Sequence, residues 1–272
     1  MNISQALALR GELDSYERQE NMWLLAHILN CSALELKLMS NDELTETQQQ
    51  TYLTAIERLN TGEPLAYILG SQPFWSLDLK VTHDTLVPRP DTEILVETAL
   101  NLILPTQAKV LDLGTGTGAI ALSLAKEHPT WQVVATDIYQ ATLDVAQENA
   151  QIHQLSNVQF ALGTWYQAID NHCKFDLIVS NPPYIDAVDS HLANLPYEPR
   201  RALVAEQQGL ADLVVIIGQA PHYLNKNAWL IVEHGYNQGQ AIRKLFLQAK
   251  FSDVKTIRDY GGNERITLGC YR

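Results

Sequence analysis

From Lys109 onward the chain alternates short, continuous apolar runs with stretches of helical periodicity, a pattern that few folds accept. The runs are Val110-Leu111-Asp112-Leu113, Trp131 to Thr136, Val158 to Ala161, Phe175 to Ser180 and Trp229 to Glu233. Residues 117–127, 140–153 and 208–223 read as helices between several of them. A strand that is apolar on both faces must be covered on both faces. The pattern therefore predicts an α/β fold, a mostly parallel sheet flanked by helices. Asp253 to Arg258 and Arg265 to Gly269 are expected as the final strands.

Upstream the period differs. Met22, Leu25, Ala26 and Leu29 fall at i, i+3, i+4, i+7, as do Tyr52, Ala55, Ile56 and Leu59, with the polar Ser40-Asn41-Asp42-Glu43 between them. A small helical domain over residues 1–72 follows. Trp75, Leu77, Leu79 and Val81 then alternate with polar residues, as in a half-buried strand. With the turn-like Thr82-His83-Asp84 and the run Thr85-Leu86-Val87, they predict a hairpin linker over 73–87. Pro88 and Pro90 end it, since neither donates to a ladder. Asp91 is expected to cap a helix reaching about Ile103, opening the larger domain, 88–272.

Composition narrows the classes of function. The formal charge of −12, from 19 basic and 31 acidic residues, argues against a protein devoted to gripping phosphate backbones. Three scattered cysteines, Cys31, Cys173 and Cys270, offer no disulfide framework and fit a reducing compartment. No signal peptide and no apolar run of ~18 residues is evident, so a cytoplasmic protein is expected. The eight histidines lack metal-ligand spacing, and His222 and His234 read as surface or packing residues.

Two motifs carry chemistry. The first is Gly114-Thr115-Gly116-Thr117-Gly118, between a strand and a helix, where a doubly wound sheet docks nucleotide-like ligands. Glycine lets the backbone approach the ligand and the helix offers free N–H groups. The next strand ends at Asp137, 23 residues after Gly114, placed to accept from ribose hydroxyls. Gly114, Gly116 and Ala119 also satisfy the dinucleotide pattern of dehydrogenases. Asp112, able to hold a methionine ammonium or support the loop, tips the reading toward a methyltransferase.

The second motif, Asn181-Pro182-Pro183-Tyr184, follows strand 175–180. Each of its first two residues precedes a proline and is pushed into extended conformation, and the prolines stiffen the segment. An amide or exocyclic amino nitrogen is a poor nucleophile because its lone pair is delocalised. The Asn181 side-chain oxygen and the Pro182 carbonyl can accept both of its hydrogens, orient the lone pair and stabilise the positive charge of the transition state. Tyr184 offers a flat face to a planar group. A proline-rich turn with a packed tyrosine is the plain alternative, but it leaves the order of glycine loop, acid and tetrad unexplained.

These motifs, with Phe74-Trp75-Ser76, Pro88-Arg89-Pro90-Asp91-Thr92-Glu93, Tyr197-Glu198-Pro199 and Asn263-Glu264-Arg265, closely resemble the release-factor glutamine methyltransferase (HemK/PrmC) family over nearly the whole chain. The resemblance implies a class I S-adenosyl-methionine-dependent methyltransferase domain, Rossmann-like with a mostly parallel seven-stranded sheet, after a helical recognition domain and a hairpin. It implies S-adenosyl-methionine as methyl donor and the Gly-Gly-Gln glutamine of class I release factors as acceptor. The products are then N5-methylglutamine and S-adenosyl-homocysteine. Carried over residue by residue, Gly114, Thr115, Gly116, Thr117, Gly118, Asp137, Trp165 and Asn181 line the cofactor, while Asn181, Pro182, Pro183 and Tyr184 bind the glutamine.

One position departs from the family pattern. Thr164 stands before Trp165 where many members carry an acid facing adenine. Arg89 is open between a contact with the partner or the active-site mouth and a solvated or salt-bridged linker arginine, and Glu198 between orienting substrate and a structural hydrogen bond. A nucleic-acid amino methyltransferase would be expected to show a basic face or an inserted reading domain. A non-catalytic adenosine-binding module would not need the tetrad, and a dehydrogenase gives it no role.

Overall fold

The computed structural model describes residues 1–272, which fall into two compact units, Met1–Gly70 and Ser71–Arg272. In the first, helices Ile3–Leu7, Tyr16–Leu29, Ala33–Leu38, Glu46–Asn60 and Leu65–Leu69 follow one another. Three of them begin at hydroxyl caps. Ser15, Ser32 and Thr45 each accept from a backbone N–H three residues on, and Glu35 and Gln48 reach back to complete capping boxes. The apolar faces meet in one core of Ile3, Leu24, Leu25, Leu36, Tyr52, Ile56 and Leu59. The fully buried Tyr52 hydroxyl lies 2.6 Å from the Ala6 carbonyl and from Asn21 Oδ1, so its polar end is satisfied.

The second unit opens with a hairpin, β1 Ser71–Phe74 and β2 Leu77–Lys80. This corrects the expectation of a hairpin ending at Val87. The partner of the alternating strand lies upstream, because Trp75 adopts a left-handed φ of 55° and turns the chain there. Residues 82–85 form a tight turn instead, Thr85 N–H donating to Thr82 O at 3.0 Å. Phe74, Leu77 and Leu79 are buried in the core of this unit, and Lys80 N–H donates to Asn149 Oδ1 at 2.7 Å, so the hairpin is part of it. Asp91 is not a cap. It sits inside the 3-10 turn Pro90–Thr92 that precedes helix Glu93–Leu100, with its carboxylate paired to Arg265 at 3.3 Å.

Strands β3 Lys109–Leu113, β4 Gln132–Asp137, β5 Val158–Leu162, β6 Phe175–Ser180, β9 Leu224–Glu233, β10 Phe251–Arg258 and β11 Glu264–Tyr271 form one sheet. Between β6 and β9 lie two-residue strands, β7 Ile185–Asp186 and β8 Val204–Ala205, paired with each other. The order across the main sheet is β10-β11-β9-β6-β3-β4-β5, and β11 alone runs against its neighbours.

The apolar runs feed two cores by alternation, interrupted on β6 at the register shift between Phe175 and Leu177. Val110, Leu177, Val179 and Ile231 pack on the side of helices Glu93–Leu100 and Ala119–Glu127. Leu111, Leu113, Ile178, Leu230 and Val232 pack on the side of helices Ala211–Gln219 and Gly239–Gln248. By the same parity Asp112 and Glu233, both buried, interrupt the first face. Helix Gly239–Gln248, which the sequence reading passed over, buries Ile242 and Phe246. No helix is long and apolar enough to cross a membrane.

Candidate active site

The chain runs from β3 outward through β4 to β5, then returns to place β6 on the other side of β3. At such a reversal the loops leaving the two central strands diverge and open a crevice beyond their carboxyl ends. Leu113 is paired with Ser180, and the Ser180 hydroxyl donates to Leu113 O at 2.7 Å. Gly114 and Asn181 therefore leave the sheet side by side. A cleft of about 260 Å³ opens there, lined by Gly114, Thr115, Gly116, Thr117, Asp137, Thr164, Trp165, Asn181 and Pro183, with Arg89, Thr92 and Asp212. Three residues expected at the site lie outside this lining. Gly118 caps helix Ala119–Glu127, Pro182 is buried, and Tyr184 points its hydroxyl to Glu233.

The loop is held by two acids. Asp112 Oδ2 accepts from Thr115 Oγ1 at 2.7 Å and from Ala121 N–H at 3.2 Å. Its Oδ1 is buried without a partner within the chain, and burial pushes the carboxyl up to about 7. Asp137 accepts from Gly116 N–H and from Tyr139 N–H, each at 3.1 Å, and burial raises its carboxyl above the ordinary range. Gly114 has φ 73°, and a Cβ there would stand 3.2 Å from the Trp165 ring, so a side chain would strain the backbone and crowd the indole. Trp165 itself is left-handed, with φ 49°, and its indole favours the ionised form of the Asp212 carboxyl, which burial pushes above the ordinary range.

The tetrad is anchored from behind. Asn181 Nδ2 donates to Thr92 Oγ1 at 3.1 Å, and Thr92 donates to Glu233 Oε2 at 2.7 Å. The Tyr184 hydroxyl donates to Glu233 Oε1 at 3.0 Å. Burial pushes Glu233 up to about 7, although both hydrogen bonds and the Arg265 charge favour its ionised form. Arg265 pairs with Asp259 at 3.0 Å and with Asp91 at 3.3 Å. On the other side Gln238 Nε2 donates to the Tyr184 carbonyl at 3.0 Å and to Gln208 O at 3.2 Å. Gln207, Gln208 and Gly209 are all left-handed, and a Cβ on Gly209 would lie 2.0 Å from Tyr184 O.

Arg89 forms an ion pair with the buried Glu198, which also accepts from Val87 N–H at 3.3 Å. Glu198 thus fixes Arg89 at the cleft through structural bonds. His234 is fully buried, its Nε2 2.8 Å from Thr267 Oγ1, rather than at the surface. The sequence reading did not single out Glu233, Asp212 or Gln238 for the site. Only Glu233 left a signal, an acid closing an apolar run.

Comparison with known proteins agrees with this architecture. Residues 90–196 match the family described as Methyltransferase small domain, and residues 2–70 match the PrmC N-terminal domain. A Pyrococcus furiosus methyltransferase structure shares the fold, with a TM-score of 0.56 at 19% identity over 80% of this chain and 98% of that one. A T. thermophilus 16S rRNA methyltransferase, solved with AdoMet and guanosine, has a TM-score of 0.53 at 19% identity over 74% of this chain and 50% of its own. The release factor glutamine methyltransferase of Aliivibrio fischeri is 45% identical over 97% of this chain and 93% of its own. The Escherichia coli protein of the same name is 43% identical over 93% and 92%. The Pseudomonas aeruginosa one is 53% identical over 79% and 78%. With that likeness spread over both units, the chain belongs to the release factor glutamine methyltransferase family.

Proposed function

We propose that this chain methylates the side-chain amide nitrogen of the glutamine in the Gly-Gly-Gln motif of class I release factors. The methyl donor in this reading is S-adenosyl-methionine, the products are N5-methylglutamine and S-adenosyl-homocysteine, and the setting is the cytoplasm. The observation that carries it is the tetrad and the glycine loop leaving paired strands at one cleft.

The residues present fit the donor. Asp112 Oδ1 is a buried oxygen with no partner in the chain, suited to an ammonium group. Asp137 stands at the end of β4, where a ribose is expected, and the Trp165 face and the Thr164 hydroxyl are available to adenine. When bound, S-adenosyl-methionine supplies an electrophilic methyl group on a sulfonium. In this reading Asn181 Oδ1, at the cleft, accepts one N–H hydrogen of the glutamine amide, and the backbone carbonyl of the buried Pro182 would have to be reached from the cleft to accept the other, so that the lone pair is held in line for attack. Transfer of that methyl group would leave neutral S-adenosyl-homocysteine, and the same acceptors would stabilise the positive charge on nitrogen until one of its protons passes to water. Residues 1–70 recognise the release factor in this reading.

The test is mass spectrometry of a Gly-Gly-Gln release factor incubated with enzyme and donor. A gain of one methyl group on the glutamine is expected. Unchanged glutamine beside methylated DNA or RNA would transfer the activity to nucleic acid. Asn181→Ala is expected to remove most turnover while leaving donor affinity, read by calorimetry, nearly intact.

A further inference from the structure

An asparagine amide is nearly symmetric in shape, but its two ends do opposite things. Only Oδ1 can accept a hydrogen from a substrate amide, while Nδ2 would meet that hydrogen donor to donor. A site relying on Asn181 as an acceptor therefore needs something that decides which end faces the substrate. We propose that Glu233, acting through the Thr92 hydroxyl, is the positioning residue that locks Asn181 with Oδ1 outward. The proposal rests on the reading of Asn181 as the acceptor for the glutamine amide.

The argument is one of hydrogen count. An ionised carboxylate only accepts. Thr92 has a single hydroxyl hydrogen, committed to Glu233 Oε2 at 2.7 Å. Its oxygen can then only accept from Asn181, which must present Nδ2, at 3.1 Å. Oδ1 is left as the unengaged end at the cleft. The Tyr184 hydroxyl, bonded to Glu233 Oε1 at 3.0 Å, ties the last tetrad residue to the same carboxylate. Glu233 is 1% exposed, so water offers no alternative partners.

Protonation undoes the lock. A neutral carboxyl can donate to Thr92 Oγ1, which frees the threonine hydrogen to point at Asn181. The amide then satisfies Thr92 equally well through Oδ1 and turns Nδ2 toward the substrate. The groups facing Glu233 are Thr92, Tyr184 from the tetrad and Arg265 from β11, with Asp91 adding like charge. His234, the next residue, is bonded to Thr267 and to the Gly235 carbonyl. Burial outweighs the Arg265 charge and pushes Glu233 up to about 7, so the switch falls in an accessible range.

The experiment compares wild type with Thr92→Val, Thr92→Ser, Glu233→Gln and Asn181→Ala. It measures kcat on a release factor at saturating donor from pH 5.5 to 8.5, and donor affinity by calorimetry. Thr92→Val is expected to lower kcat about tenfold or more with donor affinity unchanged, and Thr92→Ser to restore most of the rate. Wild-type kcat is expected to fall as pH drops through the region near 7, and Glu233→Gln, which carries no titrating group there, to lose that dependence. Wild-type turnover in Thr92→Val, or an acid limb that persists unaltered in Glu233→Gln, would overturn the proposal. Asn181→Ala separates the two claims. Full activity in that variant removes the acceptor role itself, whereas an inactive Asn181→Ala beside a fully active Thr92→Val removes only the lock.

Discussion

Asp112 lies under the glycine loop with one oxygen bonded to Thr115 and Ala121 and the other bare. Such a group costs stability whenever it is ionised, and its pH dependence has a definite sign. Below about pH 4 the carboxyl is protonated in folded and unfolded chains alike, and nothing is lost. As pH rises, the unfolded chain releases the proton while the folded one holds it up to about 7, so stability falls across that window. Asp112→Asn escapes this. Its stability relative to wild type is expected to improve by about 2–3 kcal/mol between pH 5 and pH 8, read by denaturant unfolding without donor. If Asp112 Oδ1 holds the donor's ammonium as proposed, the same variant is expected to bind the donor roughly tenfold or more weakly, since a neutral amide would replace the carboxylate. A stability difference that does not change with pH would show that Asp112 is ionised without penalty.

At the scale of elements, the tetrad owes its placement to neighbours that lack regular structure. The left-handed run Gln207-Gln208-Gly209 presses against the Tyr184 carbonyl, and Gln238 bridges the two segments. Gly209→Ala puts a methyl group where that carbonyl stands, so backbone must move. A loss on the order of 2–4 kcal/mol is expected in unfolding experiments, with a drop in kcat larger than any change in donor affinity.

This part of the site was the least legible in the sequence. Mostly apolar runs revealed the strands, because burial of the central strands on both faces leaves few polar residues in them. The glycine loop and tetrad were legible because their residue types are demanded by backbone shape. The hairpin was misplaced because an alternating strand does not say on which side its partner lies, and the turn at Trp75 uses a residue that rarely turns. Asp91 looked like a cap because an acid before a helix is usually one, and only the fold brings Arg265 to it. Asp212 and Gln238 act across long sequence separations, so no local pattern announced them.

For the whole molecule, the two units each close their own core. The buried apolar side chains of residues 3–59 form one cluster, and two other clusters draw all their members from residues 74–268. A chain beginning at Ser71 is therefore expected to fold and bind the donor with near-normal affinity. Its kcat/KM on a release factor is expected to fall roughly tenfold or more if residues 1–70 supply recognition. Calorimetry and methyl-transfer assays on the same preparation check both statements, and unimpaired transfer would free the first unit from that role.

The reversed strand β11 has a consequence for how the protein comes into being. It follows β10 in the chain, yet it sits inside the sheet, between β10 and β9, and β10 reaches the sheet only through it. Arg265, at its start, supplies the cation between Asp91 and Asp259. A nascent chain stalled before Glu264 thus has an unpaired β10 and a pair of acids with no counter-ion beside the tetrad. The surroundings of the tetrad are therefore completed only once residue 265 has been made and β11 has entered the sheet between its two neighbours.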